Sequence, residues 1–205
     1  TTLFRSSISW TGGTVTQNVF GGGMGTTDDK FGTAARLGIS RNVTVDLNKD
    51  VPDDARGCVV GGSIFGCNNL NTSPRGTVTV HIHKTQNAEA TTIANPSEGE
   101  KTAKVMGRFD VKAVYGGGNM AAYEPDALIK TGTDAEKEAS KPAAKVIIDG
   151  CDLTSIRQVY GGGNAASTPA TDVEVNGTYE IFELFGGGNG ADDLPDGSPN
   201  PGANV

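Results

Sequence analysis

The segment Val114–Asn119 reads VYGGGN, and Val159–Asn164 reads VYGGGN again. Three relatives complete the set: VFGGGM at Val19–Met24, IFGCNN at Ile64–Asn69 and LFGGGN at Leu184–Asn189. Glycine loses more backbone freedom on folding than any other residue. A chain that clusters it repeatedly must need small residues at those places. The aromatics that head the clusters are Phe20, Phe65, Tyr115, Tyr160 and Phe185, with spacings of 45, 50, 45 and 25. The turn residues that follow are Gly21, Gly22 and Gly23, then Gly66, then Gly116, Gly117, Gly118 and Asn119. The last two sets are Gly161, Gly162, Gly163 and Asn164, and Gly186, Gly187, Gly188 and Asn189.

Working outward, a second glycine precedes each cluster: Gly13, Gly57, Gly107, Gly150 and Gly177. Before several of these lies a stretch that alternates apolar and polar residues, the period of a β-strand with one buried face. Val43, Val45 and Leu47 point one way, as do Val78, Val80 and Ile82, then Val146 and Ile148, then Val173 and Val175. The opposite face carries Thr44 and Asp46, then Thr77, Thr79, His81 and His83, then Glu174 and Asn176. The second strand of each unit is less regular. Phe109, Val111, Ala113 and Tyr115 share a parity, while in IFELF the residues Ile181 and Phe185 share theirs with Glu183. Parity alone does not set the direction of each aromatic.

Self-similarity at a fixed period signals stacked repeats. Period-two strands exclude a helical repeat. The expectation is an all-β fold, a single-stranded parallel β-helix (solenoid) of about five coils with inserted loops. The coils fall near 8–24, 41–69, 76–119, 145–164 and 172–189, within a repeat domain over 1–193, and 194–205 forms a cap or linker tail. The long spacings read as 25-residue coils with insertions around Gly25–Ser40, Lys84–Lys104 and Ala121–Ala144. The last contains DAEKEASKPAAK, which can make a short helical turn before Pro142. Glycine at a corner permits positive φ or very close backbone approach. On the first of these, Gly161→Val should cost more than about 2 kcal/mol. Stacking places like residues over like, so the aromatics form a ladder. Asparagine after the glycines suits a left-handed turn position and can form an amide ladder.

Composition narrows the partners. The chain has 205 residues, 30 of them glycine, and a formal charge of −7. Glycine is at roughly twice its ordinary usage, and no three-residue period suggests collagen. The missing basic footprint argues against nucleic acid. No apolar run reaches the roughly 20 residues of a membrane-spanning helix, so no membrane insertion is expected. The first residue is Thr1 and no signal-peptide pattern follows, which predicts a mature protein or an excised fragment. Open strand edges suggest a piece of a longer chain. Three cysteines do not make a disulfide framework, although Cys58 and Cys67 could pair.

The aromatic–GGGN cluster, above all YGGGNMAAYEP at Tyr115–Pro125, resembles the large glycine-rich repeat proteins of gut Bacteroidetes. The likeness runs from about Ser9 to Asp193 and departs at GCNN and at Met24. It implies a β-helix protein of the cell surface or extracellular space, of the kind labelled adhesins, with a host or matrix protein or glycan as partner. No catalytic residue is carried over by it.

Chemistry-bearing residues are few. His81 and His83 lie two apart on one strand and project from the same face, as a metal-binding pair does. GGNGADDLP at Gly187–Pro195 fits a calcium-binding nonapeptide once, with Asp192 in the ligand place and Asp193 and Asp196 as further oxygen donors. No other cofactor is expected. Acidic pairs occur in TTDDK (Thr26–Lys30) and PDD (Pro52–Asp54); β-helix lyases and hydrolases gather such carboxylates on one wall, whereas here they fall mostly in inserted loops and read as surface acids. No nucleophile elbow, phosphate loop or zinc-protease helix is written. Trp10, Tyr123 and Tyr179 are the candidates for an aromatic glycan groove. Three functions compete: a structural or adhesive module, a carbohydrate-active enzyme, and a noncatalytic glycan-binding module. The first is favoured, because a rigid scaffold needs no perturbed side chains.

Overall fold

A computed structural model describes residues 5–26, 28, 38–51, 57–85, 109–128, 130–150, 154–178 and 180–190. In chain order the elements are β1 (Ser6–Trp10), β2 (Thr14–Val15), β3 (Val19–Phe20), β4 (Val43–Leu47), β5 (Val59–Phe65) and β6 (Val78–Ile82). There follow β7 (Val111–Tyr115), α1 (Asp134–Ala139), β8 (Ala143–Asp149), β9 (Ser155–Tyr160), β10 (Ala170–Gly177) and β11 (Glu180–Phe185).

These strands form two parallel sheets. The first has the order β1-β4-β6-β8-β10 and the second β11-β9-β7-β5-β2, with β3 also paired to β5. The expected single-stranded β-helix of about five coils is therefore corrected: the protein is nearly all β, but it is built from two separate parallel sheets. The physical reason lies in the second strand of each repeat. These second strands bond only to one another and so form a sheet of their own, which the uneven alternation of their residues does not announce. Between β5 and β7 the register shifts from Val60–Val111 to Ser63–Ala113, which breaks the parity that period-two reading relies on.

The core lies between the sheets. Val43, Val45, Leu47, Val78, Val80, Ile82, Val146 and Ile148 from the first sheet join Val60, Ile64, Val111, Val114, Ile156 and Val159 from the second in one buried cluster. Register aligns them in rows, Val45 with Val80 and Val80 with Val146, and likewise Ile64 with Val114 and Val114 with Val159. Each such side chain contributes about 1.5–3 kcal/mol by leaving water. β-Branched residues also suit the pleated surface.

The second sheet resolves the direction of the aromatics. Phe65, Ala113, Tyr115 and Tyr160 form a separate cluster with Phe20, so they do not share the main core. Val111 sits in the main core, not with Ala113 and Tyr115 as parity suggested. Ile181 packs against the main core, whereas Phe185 stacks on Tyr160.

The glycine clusters follow the second-sheet strands, and their backbones extend the ladder. Gly21 N donates to Phe65 O, Gly66 N to Tyr115 O, Gly116 N to Tyr160 O and Gly161 N to Phe185 O, at 2.8–3.1 Å. A Cβ on Gly116 would stand 2.2 Å from Gly161 O, and one on Gly161 would stand 2.2 Å from Gly186 O. Close approach is thus what these positions require. Positive φ is not: among the described residues it belongs to Gly13, Gly25, Gly38, Gly132 and Gly190, and to Asn48, Asp50 and Thr72. The left-handed conformation expected for Gly161 and for Asn119, Asn164 and Asn189 is corrected accordingly.

Candidate functional site

Two columns of like side chains run across the second sheet. The rings of Phe20, Phe65, Tyr115, Tyr160 and Phe185 stack with successive centroid distances of 5.0, 4.7, 4.7 and 4.9 Å and interplanar angles of 3–9°. In-register parallel strands set that spacing. Burial raises the Tyr115 phenol, and the neighbouring Tyr160 raises it further, so its hydroxyl stays neutral.

The second column is made of amides. Asn119 Nδ2 donates to Asn69 Oδ1 at 2.8 Å, Asn164 Nδ2 to Asn119 Oδ1 at 2.9 Å, and Asn189 Nδ2 to Asn164 Oδ1 at 2.8 Å. Asn69 Nδ2 reaches Met24 Sδ at 3.1 Å, so the methionine of the first cluster takes the end of the column. The departure GCNN also has a use. Buried Asn68 accepts from Gly23 N at 2.9 Å and donates to Gly38 O, Asn71 O and Thr72 Oγ1. It ties the first and second clusters to the loop between them.

The outer face of the first sheet holds the titratable chemistry. Asp46 on β4 lies directly opposite His81 on β6. His83 follows two residues later on the same face, one residue past β6. On β8, Ile147 is opposite His81 and Asp149 ends the strand. His81 Nε2 is 2.9 Å from Asp149 Oδ2, and His83 Nε2 is 3.3 Å from Asp46 Oδ1. The two imidazoles stack at 3.7 Å between centroids. One ligand-type atom each from Asp46, His81 and His83 lies within 4.8 Å of the others. Beside them Lys145 pairs with Glu174 and, at 3.3 Å, with Asp172 of β10. The bond to Glu174 is the chief cause of its raised pKa, and Asp172 adds to it.

Several expected residues fall elsewhere. Tyr123 is buried in the main core and donates its hydroxyl to Gly76 O at 2.6 Å, so it lines no glycan groove. Trp10 packs its ring against the same core and donates Nε1 to Gly12 O. Tyr179, Asp192, Asp193 and Asp196 lie outside the described residues. Cys58 and Cys67 are free buried thiols; burial pushes Cys58 up to about 11 and raises Cys67 as well. A depression of about 170 Å³ is lined by Leu70, Asn71, Thr72, Arg75, Met120 and Glu124 among others, and it is polar and shallow.

Sequence reading missed Asp46 and Asp149 as partners of the histidines. Their signal was present, since each sits at an outward position of an alternating strand. What sequence could not supply was the register that sets β4 and β8 on either side of β6. Compared with known proteins, the chain matches no family model, no curated protein and no solved structure. Among the described residues no helix is long and apolar enough to cross a membrane.

Proposed function

We propose that this chain is a structural or adhesive module of a bacterial cell-surface or secreted repeat protein, one that mediates attachment to host or matrix surfaces. One observation supports the reading above the others. The most regularly recurring side chains are spent on one another, ring on ring and amide on amide, along the second sheet. Columns of this kind stiffen a scaffold and leave the connecting segments to make contacts. The formal charge of −7 keeps such a surface soluble without drawing it to nucleic acid.

The test is a retention assay. Beads coated with the purified chain are passed over cultured epithelial cells and over immobilised collagen, fibronectin and mucin. Saturable retention on at least one surface, competed by free protein, is expected. Retention no greater than that of albumin-coated beads on every surface sinks the adhesive reading.

A further inference from the structure

We propose that Asp46, His81 and His83 bind a divalent transition-metal cation of the zinc type on the outer face of the first sheet, with Asp149 orienting His81. The site is independent of the adhesive reading and holds whether or not the chain attaches to anything.

Three neighbouring strands deliver the groups. Asp46 and His81 are register partners, and His83 stands two residues along the same face. The inner faces of these strands are locked by Val45, Val80, Val146 and Ile148, so the donors stand on rigid backbone. Their ligand-type atoms already converge within 4.8 Å. Donors on a tetrahedral zinc, each about 2.0–2.1 Å from the metal, lie roughly 3.3 Å apart. His83 Nε2 and Asp46 Oδ1 are 3.3 Å apart. The two imidazoles are stacked at 3.7 Å, so binding requires one ring to swing out of the stack until both in-plane lone pairs meet at the ion.

Donor chemistry selects the cation. Two imidazoles and one carboxylate make an N,N,O set, which suits zinc and its neighbours in the first transition row. Calcium and magnesium prefer all-oxygen shells. Asp149 has the part of the carboxylate behind a ligating histidine. It holds one ring nitrogen of His81 at 2.9 Å, which leaves the other for the metal and fixes the ring's orientation. The two carboxylates together offset the charge of a dication. Three protein donors leave a coordination place for water or for a donor from a bound partner.

The experiment titrates untagged, chelator-stripped protein with Zn²⁺ by calorimetry, and with Co²⁺ by visible absorption, since cobalt bands report the coordination number. Saturation at one ion per chain and a rise in melting temperature are expected. The double variant His81→Gln/His83→Gln should lose that binding and the cobalt bands while keeping its far-ultraviolet dichroism. Should it fail to fold, Asp46→Asn, which leaves both imidazoles in place, should still weaken binding. Asp149→Asn should retain the site but weaken it about 10–100-fold. Excess Ca²⁺ should not compete. The proposal is overturned by a parent chain that takes up no zinc saturably, by zinc binding unchanged in the histidine and Asp46 variants, or by displacement with Ca²⁺. In any of those cases the His–Asp pairs are cross-strand hydrogen bonds and nothing more.

Discussion

At the scale of single residues, the glycine clusters separate two reasons for using glycine that sequence alone leaves together. Gly161 has no positive φ, yet a methyl group there would meet Gly186 O at 2.2 Å and Val173 Cγ2 at 2.8 Å. Gly186, its counterpart in the next cluster, has nothing within 4 Å of an added Cβ. Gly161→Ala should therefore destabilise by about 1–3 kcal/mol, the usual cost of overpacking. Gly186→Ala should be close to neutral, or slightly stabilising through the unfolded state. Urea denaturation of the two variants checks this; equal stabilities would refute the close-approach account. The same logic explains GCNN, where Cys67 fills core volume and Asn68 replaces a turn glycine with an amide whose bonds cross to the first cluster.

At the scale of elements, α1 is held by its ends and not by packing. It buries no residue. Thr133 Oγ1 accepts from Glu136 N, while Glu136 Oε2 accepts from Thr133 N at 2.9 Å, a reciprocal capping box. The backbone bond from Thr133 is the main cause of a lowered Glu136 pKa, and its hydroxyl adds to it. A carboxyl whose folded pKa is depressed contributes stability above its ordinary value and loses it as pH falls through the folded value. Helix α1 should accordingly fray on acidification below the normal glutamate range. Thr133→Ala should cost the helix about 1 kcal/mol and leave global unfolding almost unchanged. Amide exchange in Asp134–Ala139 that is insensitive to both changes would show that the cap does not hold the helix. The central strands behave differently, because β4, β6 and β8 in the first sheet and β5, β7 and β9 in the second are each bonded on both sides and carry buried residues.

At the scale of the molecule, protection is distributed from the middle outward. Val159 on β9 is fully buried, whereas Leu184, its register partner on β11, is 51 % exposed, and Val175 on β10 is 38 % exposed. The apolar rows thus run from covered to open toward β10 and β11. Hydrogen exchange should be slowest in β6, β7, β8 and β9 and faster in β10 and β11, since local opening follows buried contact. Leu184→Ala should cost well under half as much as Val159→Ala, which loses fully buried methyl groups. Uniform protection across both sheets would show that the β10–β11 end is as well covered as the middle.

Much of the fold was legible in particular residues. VTVDL at Val43–Leu47 and TVHI within Val78–Ile82 alternate so cleanly that both strand and buried face follow from composition and period. The five aromatics announced themselves by the glycines behind them, although their stacking is a fact of register. The second sheet was not legible, because the shift between β5 and β7 and the mixed parity of EIFELF hide a strand's faces from a period-two reading. Local sequence was enough for the glycine turns, for the strands at Val43–Leu47, at Val78–Ile82 and leading to Asp149, and for the side chains of those strands that seek the core, since these depend on a few adjacent residues. Only the tertiary structure decided that the strands divide between two sheets, that glycine is needed for close approach and not for handedness, and that Asp46 and Asp149 stand beside His81 and His83. Those outcomes arise between residues 25 or more apart in the chain, where pairing register, not local propensity, sets the distance.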